Sequence, residues 1–187
     1  MNKLSDAIAI AAEAHEGQVD KAGKPYILHP LRVMLKMSTN DERIVAVLHD
    51  VVEDCDVWTF DRLKAFFSPS IIAALDSVTK RDGEDYMAFV MRAAADPIGR
   101  KVKLADIEDN CDLSRIAKPS AADYARIEKY GKAAGRITIN NLPLDVKGNE
   151  WFMDAVSYTL KAKVMTGTGA GYFNELQALL TDRRVAA

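Results

Sequence analysis

Apolar side chains recur at helical spacing along almost the whole chain, and this pattern limits the fold more than any other feature. Alternating β-branched segments joined by hairpin turns, which indicate antiparallel sheet, are missing. Because 49% of the 187 residues are hydrophobic, a substantial core can form. We therefore predict an all-α fold of about nine or ten helices, at Ser5–Glu16 and at 30–38, 41–54, 59–67, 69–79, 85–95, 97–116, 121–140, 150–165 and 171–184. Ser5 is the expected N-cap of the first helix, and Gly17 follows its end.

The chain length is that of a single domain. The most linker-like stretch is NNLPLDVKGN, residues 140–149, and the segment after it is too short to be expected as an independent domain. We predict one domain over residues 1–187, with its motif-bearing core at about 1–140 and a helical appendage at about 141–187. The amphipathic helices of the appendage suit either the closure of a pocket or a homodimer interface.

The charge balance points to a small-molecule partner. The net charge is −2 and the sequence pI is about 5.9, so no excess of positive charge favours nucleic acid or an anionic membrane. No apolar run approaches the roughly 20 residues that a membrane-spanning helix needs. We expect a soluble, cytoplasmic protein that binds neither nucleic acid nor membrane.

The stretch AVLHDVVED, residues 46–54, places four ionisable side chains on an otherwise apolar helix. At about 100° per residue, His49 and Asp50 are neighbours, and Glu53 and Asp54 lie one turn further along the same stripe. Adjacent carboxylates repel each other, and burying them without a partner is costly. A cation is the simplest way to hold them together, whereas VVED alone would suit a solvated helix end.

Two more residues extend this candidate site. His29 stands in a loop directly before Pro30, and Asp106 lies in the apolar helical segment KVKLADIEDN. Two imidazoles and two carboxylates suit a divalent ion such as Mn²⁺ or Fe²⁺ better than an all-oxygen magnesium or calcium site or a thiolate zinc site. Spacing in the sequence does not by itself show that the four residues meet.

Five ordered segments carry a resemblance to a known family. AEAHEGQ, KAGKPYILHP, LHDVVED, SVTK and KLADIEDN follow one another between about residues 7 and 115. At these intervals they resemble the HD-domain hydrolases of the RelA/SpoT homologue family, specifically the small single-domain alarmone hydrolases such as the metazoan SpoT homologues. An HD dipeptide alone carries little information, but five motifs in order are specific.

The resemblance implies a multi-helix HD domain and a stringent-response enzyme. The implied reaction is hydrolysis of the 3′-pyrophosphate of (p)ppGpp-type alarmones, giving pyrophosphate and a nucleoside 5′-di- or triphosphate. His29, His49, Asp50 and Asp106 are implied to hold one metal ion, Mn²⁺ or another divalent metal such as Fe²⁺. Glu53 and Asp54 match the acidic pair of the family, whose members would orient water and transfer protons. The sequence does not divide the acid and base roles between these two carboxyls.

Substrate contacts are expected from the loop before His29 and from the end of the Asp106 helix. The candidates are Lys21, Lys24, Asn110 and Arg115, with Lys80 and Lys103 as further cations and Tyr26 as either a base-stacking or a loop-anchoring residue. Asn110 falls one helical turn after Asp106, where the family has a substrate-contacting Asn.

Two departures from the family bear on substrate choice. Asp20 stands where members typically have an Arg, so a cation able to stack on a purine is replaced by an anion that accepts hydrogen bonds. We therefore expect altered base preference, with adenosine alarmones, (p)ppApp, accepted. The turn after Asp106 is also acidic, with Glu108, Asp109 and Asp112 where basic character is expected.

Two other functions stay open. The first is an HD phosphohydrolase of another nucleotide, namely a nucleoside monophosphate, a 2′-phosphorylated dinucleotide or a cyclic dinucleotide. The second is a non-catalytic nucleotide-binding module, which retention of Glu53 and Asp54 disfavours.

Overall fold

The computed structural model describes residues 3–116 and 118–140. In these ranges the secondary structure is helical apart from one isolated bridge between Val19 and Pro25, which confirms the predicted all-α class. The elements are α1 (Lys3–Ala14), α2 (Leu28–Leu35), α3 (Asn40–Leu48), α4 (Val51–Asp54), α5 (Phe60–Leu63), α6 (Pro69–Val78), α7 (Tyr86–Ala95), α8 (Pro97–Cys111), a 3₁₀ helix (Leu113–Arg115) and α9 (Ala121–Asn140).

Polar side chains set the starts of several helices. Thr39 and Glu42 form a reciprocal capping box at α3, in which each side chain binds the backbone amide of the other. Ser68 accepts from the Ile71 amide at the start of α6, and Asp85 accepts from two amides at the start of α7. These local signals explain why the predicted starts of both helices lie within one residue of the observed ones.

Several predicted boundaries are wrong, including the end of the predicted helix 59–67, since α5 ends at Leu63. The predicted helix 41–54 is interrupted at His49 and Asp50, which separate α3 from α4. The predicted helix 97–116 ends at Cys111, because Asp112 leaves the helix and caps a separate 3₁₀ turn. The first helix begins at Lys3 in the described residues and so contains Ser5, while Gly17 does adopt a left-handed conformation (φ 75°) three residues after the helix ends.

The described residues form two compact units that meet in sequence between Asp109 and Asn110. In the first unit α3 is the central helix, since it packs against α1, α2 and α6. Four consecutive α3 residues, Val45 to Leu48, have no exposed surface. The last turn of α3, which precedes His49, is therefore held by apolar packing.

The second unit contains the 3₁₀ helix and α9, whose buried face includes Ile127, Ala133, Ala134 and Ile137. The predicted helices at 150–165 and 171–184 lie outside the described residues. The prediction of one domain over residues 1–187, with a core and an appendage, stays a prediction. Within the described part of the chain, none of the helices has both the length and the apolar character required to cross a membrane.

Candidate metal centre and active site

A compact loop delivers His29 to the start of α2. Gly17 and Gly23 turn the chain with positive φ values of 75° and 72°. Between them, Asp20 Oδ1 accepts hydrogen bonds of 2.9 Å from the amides of Ala22 and Lys24. Asp20, predicted to contact the substrate, therefore has a loop-closing role in the structure, of the kind that Asp side chains commonly have in turns. Its contact with substrate stays a prediction.

The ring of His29 is buried and is oriented by Asp109. Oδ2 of Asp109 lies 2.7 Å from Nδ1 of His29. A carboxylate only accepts hydrogen bonds, so Nδ1 carries a proton, and in the neutral ring Nε2 keeps its lone pair. Nε2 faces the Oδ1 of Asp106 at 3.3 Å and the Oδ2 of Asp50 at 3.6 Å.

His49 caps the end of α3, and its side chain explains the break in the predicted helix 41–54. Its Nδ1 donates to the Ala46 carbonyl at 2.8 Å. It thereby competes for the acceptor that a continuing helix would offer to the amide of Asp50, and Asp50 has φ −99° and ψ −7°. The predicted single stripe over 49–54 is thus a turn followed by the short helix α4.

In the neutral imidazole, the form that binds a metal ion, the same hydrogen bond leaves Nε2 of His49 without a proton. This atom is buried and has no hydrogen-bond partner among the described residues. It lies 3.1 Å from the Oδ2 of Asp50 and 3.7 Å from the Oδ1 of Asp106. A lone pair facing two carboxylate oxygens is repulsive unless a cation lies between them.

Asp106 on α8 uses its two oxygens differently. Its Oδ2 accepts from Nζ of Lys103 at 2.8 Å, one turn earlier on the same helix. Its Oδ1 faces the imidazoles of His29 and His49. One ligand atom from each of these three buried residues lies within 4.8 Å of the other two. Asp50 adjoins them, and its Oδ2 also accepts a 2.6 Å hydrogen bond from the Tyr26 hydroxyl.

The electrostatics of this cluster favour added positive charge. Burial lowers the pKa of His49, but Asp50 and Asp106 outweigh this effect, and the pKa lies well above its usual range. Burial raises the pKa of both carboxyls, yet His49 brings that of Asp50 down to about 2, while Lys103 and the two imidazoles bring that of Asp106 well below normal. Two imidazole nitrogens with two ionised carboxylates are a donor set that fits a divalent transition-metal ion.

The predicted acidic pair lies beside this cluster on α4, where Glu53 and Asp54 reach the solvent edge. Oε1 of Glu53 accepts from the backbone amide of Lys80 at 2.5 Å, which fixes its direction. Partial desolvation, together with the negative charge of Asp50, raises the pKa of both carboxyls. Raised carboxyl pKa values suit groups that exchange protons near neutral pH.

The predicted substrate cations lie in different parts of the chain. Lys21 and Lys24 are exposed in the loop before His29. Lys103 is buried and bound to Asp106, so it is not a solvated surface lysine, and its contact with substrate stays a prediction. Asn110 and Arg115 belong to the second unit, and their contacts with substrate stay predictions. Tyr26, by donating to Asp50, acts as the loop anchor of its two predicted roles.

The acidic turn after Asp106 has a structural explanation that the sequence did not give. Asp109 accepts two hydrogen bonds from Arg32 of α2, from Nε at 2.7 Å and from Nη2 at 2.9 Å. Glu108 accepts at 3.0 Å from Nζ of Lys36, the C-cap residue of α2. The basic character expected in the turn is thus supplied by the facing helix. The only sequence signal was the i, i+3 spacing of Arg32 from His29 and of Asp109 from Asp106.

Comparison with known proteins shows which family the chain belongs to. Residues 7–110, more than half of the chain, match the HD domain. The chain belongs to the HD-domain family. A solved structure of a metazoan orthologue of SpoT, described as hydrolysing ppGpp with a role in starvation responses, superposes on the chain with a TM-score of 0.62. It shares 22% identity over 89% of this chain and 96% of that one, and it supports the HD fold.

The curated relatives that the chain matches are much longer proteins. A guanosine-3′,5′-bis(diphosphate) 3′-pyrophosphohydrolase of Vibrio cholerae is 32% identical over 162 residues, which are 77% of this chain and 23% of the relative. A protein of the same name from Aquifex aeolicus is 33% identical over 66% of this chain and 20% of its own length. The bifunctional (p)ppGpp synthase/hydrolase SpoT of Escherichia coli is 28% identical over 79% and 23%. The matches thus span about a quarter or less of these relatives, and they confirm the resemblance predicted from the motifs.

Proposed function

We propose that this HD domain is a metal-dependent hydrolase that removes the 3′-pyrophosphate of (p)ppGpp-type alarmones. The products are pyrophosphate and the nucleoside 5′-di- or triphosphate. The carrying observation is the convergence of His29, His49 and Asp106, with Asp50 adjoining, next to the carboxyl groups of Glu53 and Asp54. The similarity to relatives named 3′-pyrophosphohydrolases supports the substrate class.

We assign the metal site to His29, His49, Asp50 and Asp106, and we propose Mn²⁺ as the ion. When bound, a divalent ion would stabilise charge on a phosphoryl oxygen and lower the pKa of water. The buried unpartnered Nε2 of His49 supports such an ion, because the surrounding carboxylates leave an excess of negative charge. Nitrogen donors together with carboxylates favour Mn²⁺ or Fe²⁺ over Mg²⁺.

The chain's own carboxyls would handle the protons. In the reaction a water molecule attacks the phosphorus atom bonded to the 3′-oxygen. The bond between this phosphorus and the 3′-oxygen breaks, and the 3′-oxygen leaves and takes up a proton. Glu53, directed by the Lys80 amide, would accept the proton from water, and Asp54 would assist its transfer to the leaving oxygen. Lys21 and Lys24 would neutralise charge on the substrate phosphates, while substrate contacts of Asn110 and Arg115 stay predictions.

The test is a panel assay with guanosine and adenosine 3′,5′-bis-diphosphates, nucleoside monophosphates and cyclic dinucleotides, with Mn²⁺ and with chelator. We expect Mn²⁺-dependent release of pyrophosphate from the alarmones, with a loss of 10²–10⁴-fold in Glu53→Gln. If another phosphoester were cleaved while the alarmones survived, the proposal of a hydrolase would stand and the proposed substrate would be rejected. If none of these compounds were cleaved, the result would favour a non-catalytic nucleotide-binding module.

Base preference is tested in the same panel. The proposal that Asp20 broadens the choice of base predicts that Asp20→Arg changes the ratio of guanosine to adenosine turnover. Since Asp20 also closes its loop, Asp20→Asn is the control, because Asn retains the oxygen that accepts from Ala22 and Lys24. Equal ratios in all three proteins would remove the basis for the proposal.

A further inference from the structure

We propose that Asp109, held by Arg32, is a positioning residue that keeps the His29 ring in the orientation and tautomer needed to bind the metal ion. The inference rests on the metal site of the proposed function and adds two residues outside the ligand set. Neither of the two would touch the substrate or the ion.

The first step is the contact between Asp109 and His29. Both residues have only 5% of their surface exposed, and the 2.7 Å distance between Oδ2 and Nδ1 is that of a charge-assisted hydrogen bond. With the proton held on Nδ1, the lone pair of Nε2 is available to a metal ion and is directed towards Asp106. His49 is oriented in the same way, since its Nδ1 donates to the neutral Ala46 carbonyl. Both rings therefore direct Nε2 into the cluster, one held by a carboxylate and the other by a carbonyl.

The second step is the two-point hydrogen bonding of Arg32 to Asp109. Its Nε and Nη2 bind the two carboxylate oxygens separately, at 2.7 and 2.9 Å. This two-point contact stops the carboxylate from rotating, because either rotation would break a charge-assisted bond. It also neutralises a buried charge, so Asp109 adds no unpaired anion beside Asp106.

The third step is the register of the two helices. Arg32 stands one turn after His29 on α2, and Asp109 stands one turn after Asp106 on α8. The Arg32–Asp109 contact therefore runs alongside the approach of His29 to Asp106. A carboxylate behind a ligating imidazole commonly changes metal affinity by 10–100-fold, by fixing the ring and raising its basicity.

A simpler reading is that Arg32 and Asp109 only join two helices. The chain offers a matched control for it, because Lys36, at the C-cap of α2, pairs with Glu108 of α8 at 3.0 Å, and neither contacts His29. If joining the helices were the whole role, Glu108→Gln and Asp109→Asn would differ only in stability.

The experiment is a titration of each full-length variant with Mn²⁺, followed by the electron paramagnetic resonance signal of the free ion, with unfolding of the metal-free proteins measured alongside. We expect Asp109→Asn to bind Mn²⁺ 10–100-fold more weakly than the wild type, and Glu108→Gln to bind like the wild type. Arg32→Lys, which keeps the charge and loses the two-point contact, should weaken binding less; it also replaces Asp109→Asn as the test if that variant fails to fold.

A double-mutant cycle shows whether the effect passes through His29. In a His29→Ala background, Asp109→Asn should cause no further loss of Mn²⁺ affinity. Equal affinity of Asp109→Asn and wild type, or an equal loss with and without His29, would overturn the inference while leaving the metal site intact. Absence of Mn²⁺ binding by the wild type would overturn the metal site and this inference together. Mn²⁺ binding with the expected cycle but no alarmone cleavage would reject only the proposed reaction.

Discussion

The carboxylate of Glu42 links the start of α3 to α8, and replacing it by Gln should separate two contributions to stability. Its Oε2 accepts from the amides of Ser38 and Thr39 at 2.9 and 3.1 Å, and its Oε1 accepts from Nζ of Lys101 at 2.5 Å. Glutamine keeps one oxygen, so one of these sets of donors must face an amide NH₂. The less costly arrangement turns the NH₂ towards Lys101, whose side chain is 55% exposed and can move into water.

The expected costs follow from this geometry. Loss of the partly exposed ion pair costs about 0.5–1 kcal/mol, and replacing charged by neutral acceptors at the two amides costs roughly as much again. We therefore expect Glu42→Gln to lower the free energy of unfolding by about 1–2 kcal/mol. Glu42→Ala, which leaves both amides without this acceptor, should cost about 2–4 kcal/mol. Lys101→Gln should cost only the ion pair, and adding it to Glu42→Gln should cost little more.

The pH dependence has a defined sign. Burial opposes ionisation of Glu42, but Lys101 and the backbone amides outweigh it and lower the pKa below its ordinary value. The stabilisation from the carboxylate is therefore fully present above the unfolded-state pKa, near 4.3, and is lost as the pH falls through the lower folded-state pKa. Urea unfolding of wild type and Glu42→Gln between pH 3 and 8 should show a difference that shrinks at the acidic end. A difference that is absent at pH 7, or constant with pH, would refute this reasoning.

Three further predictions concern packing, metal and the loop before α7. Gly99→Ala should destabilise the protein by about 1–3 kcal/mol in urea unfolding, because an added Cβ would lie 2.0 Å from the buried Ser77 Oγ; most of this cost should vanish in a Ser77→Ala background. Saturation with Mn²⁺ at about 100 times its Kd should raise the melting temperature by about 5–10 °C, measured against the same protein with chelator. In His49→Gln the same Mn²⁺ concentration should raise the melting temperature much less. Arg92→Lys should lower the melting temperature by several degrees, because Lys cannot bind Glu84 and the carbonyl of Thr79 at once; Arg81→Lys, at a mostly exposed ion pair, should have a smaller effect.

Periodicity predicted the helical class, because each helix buries a face whose spacing is written locally in the sequence. Helix starts were predictable where a polar cap stands in the sequence, as at Ser68 and Asp85. The break at His49 was not, since it depends on a side chain competing with the backbone for the Ala46 carbonyl. The pattern of apolar residues is the same for one long helix and for two helices joined by a turn.

The candidate site divides in the same way. That His29, His49 and Asp106 would meet was expected from motifs in order, and the structure brings them together. The pairing of Arg32 with Asp109, 77 residues apart, has no local signal beyond the i, i+3 spacing of each from a candidate ligand, because an acidic turn on a helix normally indicates a solvated face. The loop-closing hydrogen bonds of Asp20 were likewise unpredictable from a comparison of residue types alone.

The supports of the candidate ligands lie three residues from a ligand, on the helical elements that carry the site. They are Arg32 beside His29, Ala46 beside His49, and Lys103 and Asp109 on either side of Asp106. Side chains or carbonyls at this spacing stack on one face, so a short helical segment delivers a ligand together with the group that orients it or its neighbour. Because the supports cross between α2 and α8, a change at one helix alters the ligand on the other. Substitutions one turn from a ligand should therefore change metal affinity before they unfold the protein, whereas substitutions in the buried centre of α3 should do the reverse.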